Sequence, residues 1–103
     1  MKDTIAAISS PKGTGAIAII RIDGEKSHEI AKKLTKLNEV EYKKVYHKSL
    51  WNKDEILDDV NIVFYKSPNS YTGNDLVEIY CHGGILVTYK VLDAILNNGA
   101  RLA

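Results

Sequence analysis

Glu78 interrupts the run Leu76 to Cys81, which is otherwise leucine, valine, isoleucine, tyrosine and cysteine. A carboxylate buried without a partner costs several kcal/mol, so Glu78 calls for a cation, several donors or a ligand unless its strand face is open to water. A pterin or guanine edge presents adjacent ring N–H and amino donors, which a carboxylate accepts in a bidentate manner. Arg21, in Ile19-Ile20-Arg21-Ile22, poses the same question from a second β-branched run. Its guanidinium either pairs with Glu78 or grips a carboxylate-bearing ligand, and a structural Arg–Glu pair is the more economical answer on sequence alone.

Three other stretches invite chemistry. Cys81-His82-Gly83-Gly84 suggests a thiol activated by histidine, or metal. Adjacent strand residues point to opposite faces, so the two side chains are poorly placed to hydrogen-bond, and one Cys with one His is too few ligands for zinc. His82 reads better as a site-lining or capping group, and the glycines as a tight strand-to-helix turn whose N–H groups could face an anion. Gly13-Thr14-Gly15-Ala16-Ile17-Ala18 fits G-x-G-x-x-A, but a β-branched strand follows where a dinucleotide fold requires a helix. No phosphate-binding G-x-x-x-x-G-K-[ST] loop occurs, and the glycine stretch reads as a turn between strands that also contacts a ligand or a second subunit, or does neither. Ser67 to Asp75 is a turn-rich loop leading into the Glu78 strand, either bordering a site or serving as a connector whose Tyr71 plugs the core edge. No catalytic residue and no metal site is expected.

The elements that must position these residues follow from periodicity. Thr4 to Ile8 and Ala16 to Ile22 read as strands, the second stopped by Asp23-Gly24. Lys26 to Leu37 carries Ile30, Ala31, Leu34 and Leu37 at helical spacing, with its lysines turned to water. Val45 to Leu50 and Val60 to Tyr65 read as strands joined by a long polar turn containing Asp54, Glu55, Asp58 and Asp59. In Leu76 to Cys81, alternation puts Glu78 on the face opposite Val77 and Ile79. A second helix runs from Ile85 to Asn97, closed by Asn98-Gly99, after which a further strand opens and the chain reads as cut from a longer protein. The sum is an α+β domain, a mixed β-sheet with two or more helices packed on it.

The chain has 103 residues, enough for a single core. Fourteen Lys and Arg against thirteen Asp and Glu leave a net charge of +1, so no global field draws nucleic acid or membrane, and any RNA contact must be local or indirect. The single cysteine cannot form an internal disulfide, which is compatible with a reducing cytoplasm and equally with other settings. No signal-peptide profile and no membrane-spanning apolar run is present.

Four blocks in order then resemble one family: Asp3-Thr4-Ile5-Ala6-Ala7, Gly13 to Ile22, Ser70 to Asp75, and Val77 to Gly84. It is the amino-terminal domain of the tRNA uridine 5-carboxymethylaminomethyl modification GTPases, also called thiophene and furan oxidation proteins. The resemblance runs from Asp3 to Ala103 and implies an aminomethyltransferase-like fold that dimerises with its own copy. It also implies binding of 5-formyltetrahydrofolate or 5,10-methylenetetrahydrofolate near the dimer interface, with Arg21 and Glu78 as folate contacts. On that reading residues 1–103 are the tetrahydrofolate-binding and dimerisation domain, truncated at its C-terminus. The helical and GTPase domains, with GTP, potassium and magnesium, lie outside the chain, which itself hydrolyses nothing. The full-length partners implied are a flavin-dependent tRNA modification enzyme and tRNA. Two departures touch detail: Asn74 stands where the family usually has glutamate, and Lys12 where a second proline is common. Two other readings remain: a fragment of a folate-dependent aminomethyltransferase, with Asp75 as its only suggestive catalytic aspartate, and a purely structural pairing domain in which Arg21 and Glu78 form a salt bridge.

Overall fold

The computed structural model of the chain describes residues 3–9 and 17–103. Its elements are β1 (Ile5–Ser9), β2 (Ala18–Asp23), α1 (Ser27–Thr35), β3 (Val45–Asn52), β4 (Glu55–Tyr65), β5 (Leu76–Cys81), α2 (Ile85–Leu96) and β6 (Arg101–Leu102). One sheet holds all six strands in the order β3-β4-β5-β2-β1-β6. Every pairing is antiparallel except β1 with β6, so the sheet is mixed and the α+β class holds.

Strand alternation divides the sheet into two unlike faces. Ile20 and Ile22 of β2, Val60, Ile62 and Phe64 of β4, and Val77 and Ile79 of β5 are fully buried in one apolar cluster. The same cluster takes Ile30, Ala31 and Leu34 from α1 and Val91, Leu92, Ala94 and Ile95 from α2, so both helices lie on this face. Each such isoleucine contributes roughly 1.5–3 kcal/mol by burial, which makes this layer the main driver of the fold. The opposite face carries Ile19, Arg21, Val63, Tyr65, Glu78 and Tyr80, the residues between the inward-pointing ones.

Helix α1 is shorter than its apolar spacing predicts because Lys36 turns left-handed, at φ 59°, and closes the helix by returning its N–H to the Lys32 carbonyl. Helix α2 opens on Gly84, at φ 89°, a conformation glycine adopts without a Cβ penalty. It closes where Asn98 Nδ2 donates to the Ala94 carbonyl at 2.7 Å, and Gly99 follows at φ 117°. The expected strand after this stop is β6, seated beside β1.

The long polar turn expected between β3 and β4 is not there. Strand β3 continues to Asn52 and β4 begins at Glu55, leaving Lys53 and Asp54 as the turn. Lys53 supplies the left-handed backbone of a tight hairpin at φ 55°. Leu57 is an extra residue opposite the Leu50/Trp51 step, where the register shifts in a bulge. Asp58 and Asp59 therefore belong to β4, with the Asp59 carboxylate accepting from Ser49 Oγ at 3.0 Å.

Candidate functional site

Strands β2 and β5 pair with Arg21 directly opposite Glu78, so the two charges singled out in the sequence meet on the sheet face away from the helices. Arg21 Nε donates to Glu78 Oε2 at 2.9 Å. The Arg21 side chain is 36% exposed and that of Glu78 only 10%, so one partner reaches the surface and the other does not. The Tyr80 hydroxyl donates to the other carboxylate oxygen, Oε1, at 3.2 Å. Glu78 is therefore doubly held, consistent with the cost of burying a carboxylate alone.

Two tyrosines register that charge. Burial first, and then the Glu78 carboxylate beside it, raise the pKa of Tyr80. The same two causes in the same order raise that of Tyr65. Strand pairing sets Val63 opposite Glu78 and Tyr65 opposite Leu76, so Tyr65 lies diagonally across from the glutamate. Sequence reasoning assigned neither tyrosine to the site. Tyr80 was accessible by the two-residue strand period, whereas Tyr65 needed the β4–β5 register, which is a long-range fact.

The loop before β5 reaches the same place. The Tyr71 ring stands 5.3 Å from the Arg21 guanidinium carbon and is 84% exposed. It borders the Arg21–Glu78 pair and does not plug the core edge. Asn74 Nδ2 donates to Asp23 Oδ1 at 3.1 Å, a contact in which glutamate would set two carboxylates together. Asp75 ties the loop to its base: its Oδ1 accepts from the Ser67 N–H at 2.9 Å and its Oδ2 lies 3.6 Å from Lys66 Nζ. Burial alone would raise the Asp75 pKa, but the Ser67 N–H, His28 and Lys66 outweigh it and hold the value below normal. These partners make Asp75 a loop anchor. The Gly13 to Gly15 loop lies outside the described residues.

Cys81 and His82 part as strand alternation requires. The cysteine is 2% exposed on the helix side, and burial, with Asp58 nearby, pushes its thiol up to about 12. Such a thiol is no nucleophile near neutral pH. His82 is exposed, with Nδ1 2.9 Å from the Asp59 carbonyl. The backbone N–H groups of His82 and Gly83 both donate to Asp58 Oδ2, at 2.8 and 3.1 Å. The anion expected at this strand-to-helix turn is thus the protein's own carboxylate, a partner missed because Asp58 read as part of a turn. Among the described residues no group of three or more His, Cys, Asp or Glu side chains could hold a metal ion. Nor is any described helix long and apolar enough to cross a membrane.

The chain is similar over its full length to a protein named tRNA modification GTPase MnmE from Thermosipho melanesiensis, at 74% identity over 103 residues and 23% of that protein's length. Like-named proteins from Pseudothermotoga lettingae and Fervidobacterium nodosum are each 51% identical, matching 100% and 99% of the chain and 23% and 24% of their own lengths. The chain thus spans about a quarter of the curated relatives it matches. The family model described as "GTP-binding protein TrmE N-terminus" matches residues 4–103, and with these relatives it shows that the chain belongs to the family of TrmE N-terminal domains.

Proposed function

We propose that this chain is the folate-binding and homodimerising N-terminal domain of a cytoplasmic GTPase that adds carboxymethylaminomethyl to the wobble uridine of tRNA. The observation that carries the reading is the Arg21–Glu78 pair on the sheet face away from the helices, with Tyr80 on the second carboxylate oxygen and Tyr71 beside the guanidinium. This donor set fits a reduced folate. A carboxylate can accept the adjacent N–H groups of a pterin, the tyrosine rings offer flat apolar surface, and the exposed guanidinium can meet an anionic tail. Bound 5-formyl- or 5,10-methylenetetrahydrofolate would supply the one-carbon unit, and Glu78 and Arg21 would bind and orient it. Tyr80 and Arg21 already satisfy both Glu78 oxygens, so the pterin edge must share or replace those donors. GTP hydrolysis, with its potassium and magnesium, belongs to the part of the relatives that this chain does not span, and a flavin-dependent enzyme and tRNA are partners of the full-length protein.

The same pair favours a second reading, in which Arg21 and Glu78 serve only to satisfy each other and the domain pairs without a ligand. Calorimetric titration with 5-formyltetrahydrofolate, beside sedimentation of the same samples, separates the two. The folate reading expects saturable binding by a dimer, weakened at least tenfold, or about 1.4 kcal/mol, in Glu78→Gln. A folded dimer that takes up no folate, also when extended past Ala103, supports the structural reading instead.

A further inference from the structure

Away from the Arg21–Glu78 face, the ends of both helices and the tip of the β3–β4 hairpin enclose a cleft of about 560 Å³. Lys33, Lys36 and Lys53 line it with Trp51 and the amides of Asn52, Asn97 and Asn98, and no acidic residue takes part. The chain as a whole carries a net charge of only +1, so this is a local concentration of charge. The carboxyl ends of α1 and α2 both open here, each worth roughly half a negative charge, which offsets about one of the three ammonium groups and leaves the cleft positive.

Two features suit this cleft to a polyanion with flat groups. Trp51, the single tryptophan of the chain, is half-buried in the cleft wall, with the Lys36 ammonium 3.5 Å from its ring centroid. The Lys36 ammonium covers one indole face, so a base stacks there as the ammonium swings off the ring to a phosphate. Lys36 and Lys53, like Lys43 outside the cleft, occupy left-handed backbone positions, φ 59° and 55°, which glycine would fill with less strain. Past Trp51, Lys48 and Lys36 line a neighbouring cleft of about 440 Å³ together with one acid, Asp59, whose carboxylate is already held by Ser49 Oγ. The exposed Lys33, Lys36 and Lys53 match a chain of phosphates better than one compact anion, since among the described residues nothing closes around a small ligand.

We infer that the Trp51 cleft binds the sugar-phosphate backbone of single-stranded RNA, with a base against Trp51. The choice of RNA rests on the tRNA-modification reading above; the attraction for a nucleic acid backbone rests on the cleft itself, and the folate titration tests the other reading independently. The test is anisotropy of a fluorescein-labelled uridine dodecamer titrated with this chain across a salt series, with Trp51 emission followed in parallel. The expected result is saturable binding that alters Trp51 emission, with log affinity falling against log salt at a slope of about −2, as for three phosphates on a single strand. Lys36→Gly with Lys53→Gly should weaken binding at least about tenfold and flatten the slope by about 1.4, while thermal melting of the variant stays at or above that of the parent. Absence of binding at low salt, unchanged Trp51 emission, equal affinity in the double variant, or equal affinity for polyphosphate of the same length would each overturn the assignment.

Discussion

Glu78 shows how one side chain can govern the electrostatics of a sheet face. It takes a hydrogen bond on each oxygen, from Arg21 and from Tyr80, and its charge adds to burial in raising the pKa of Tyr65 and Tyr80 above the ordinary 10.0. A raised tyrosine pKa contributes stability that is fully present below pH about 10 and is lost as pH rises through the raised values. In Glu78→Gln the carboxylate's share disappears, leaving burial to raise both values, with Tyr80 adding at Tyr65, against the lowering charge of Arg21. Tyrosinate absorbance should then develop at lower pH than in the parent, and an unchanged alkaline titration would show that the glutamate is not what holds these phenols neutral. The partnership was half legible in the sequence: periodicity shows that Glu78 leaves the core face, but only the β2–β5 register shows that Arg21 is opposite.

The elements divide by how local their signals are. Strand β5 and helix α2 stand nearly where alternation and helical spacing put them, because Leu76 to Cys81 and Ile85 to Leu96 carry their whole pattern within a few turns or pleats. The β3–β4 hairpin was misjudged because Asp58 and Asp59 look like loop residues, yet they lie in strand, where Asp58 caps the backbone before α2 and Asp59 meets Ser49. Such partners are distant in sequence and no local propensity encodes them. The turn after β2 is the opposite case. Gly24 sits at φ 132°, donates its N–H to the Asp75 carbonyl at 2.9 Å, and leaves no room for a side chain: a Cβ would stand 2.6 Å from the Asp3 carbonyl oxygen. Gly24→Ala should cost at least about 1–3 kcal/mol from backbone strain alone, more with the clash. Urea unfolding would read this as a lower midpoint at unchanged slope, and a variant as stable as the parent would mean that this turn relaxes freely.

At the scale of the whole molecule, two faces carry two kinds of chemistry on one core. The helix side buries an almost entirely aliphatic cluster around Phe64, and the opposite side displays charge and phenol groups around Glu78. The α+β class was legible because helical and strand periods alternate along the chain. The strand order was not, since β2 has β1 as one neighbour and β5, from far along the chain, as the other.

That order has a consequence in time. Arg21 and Glu78 are 57 residues apart, so a chain growing at about 5–20 residues per second leaves one edge of β2 unpaired for roughly 3–11 s before β5 emerges to cover it. During that interval the edge reads Ala18-Ile19-Ile20-Arg21-Ile22-Asp23, an isoleucine-rich template for another chain in which Arg21 sets a positive charge amid the isoleucines. Arg21 thereby guards the nascent strand before it serves the finished one. Arg21→Ile should increase the fraction of newly made chain that pellets during cell-free translation, and equal pelleting of parent and variant would show that the waiting edge needs no such guard.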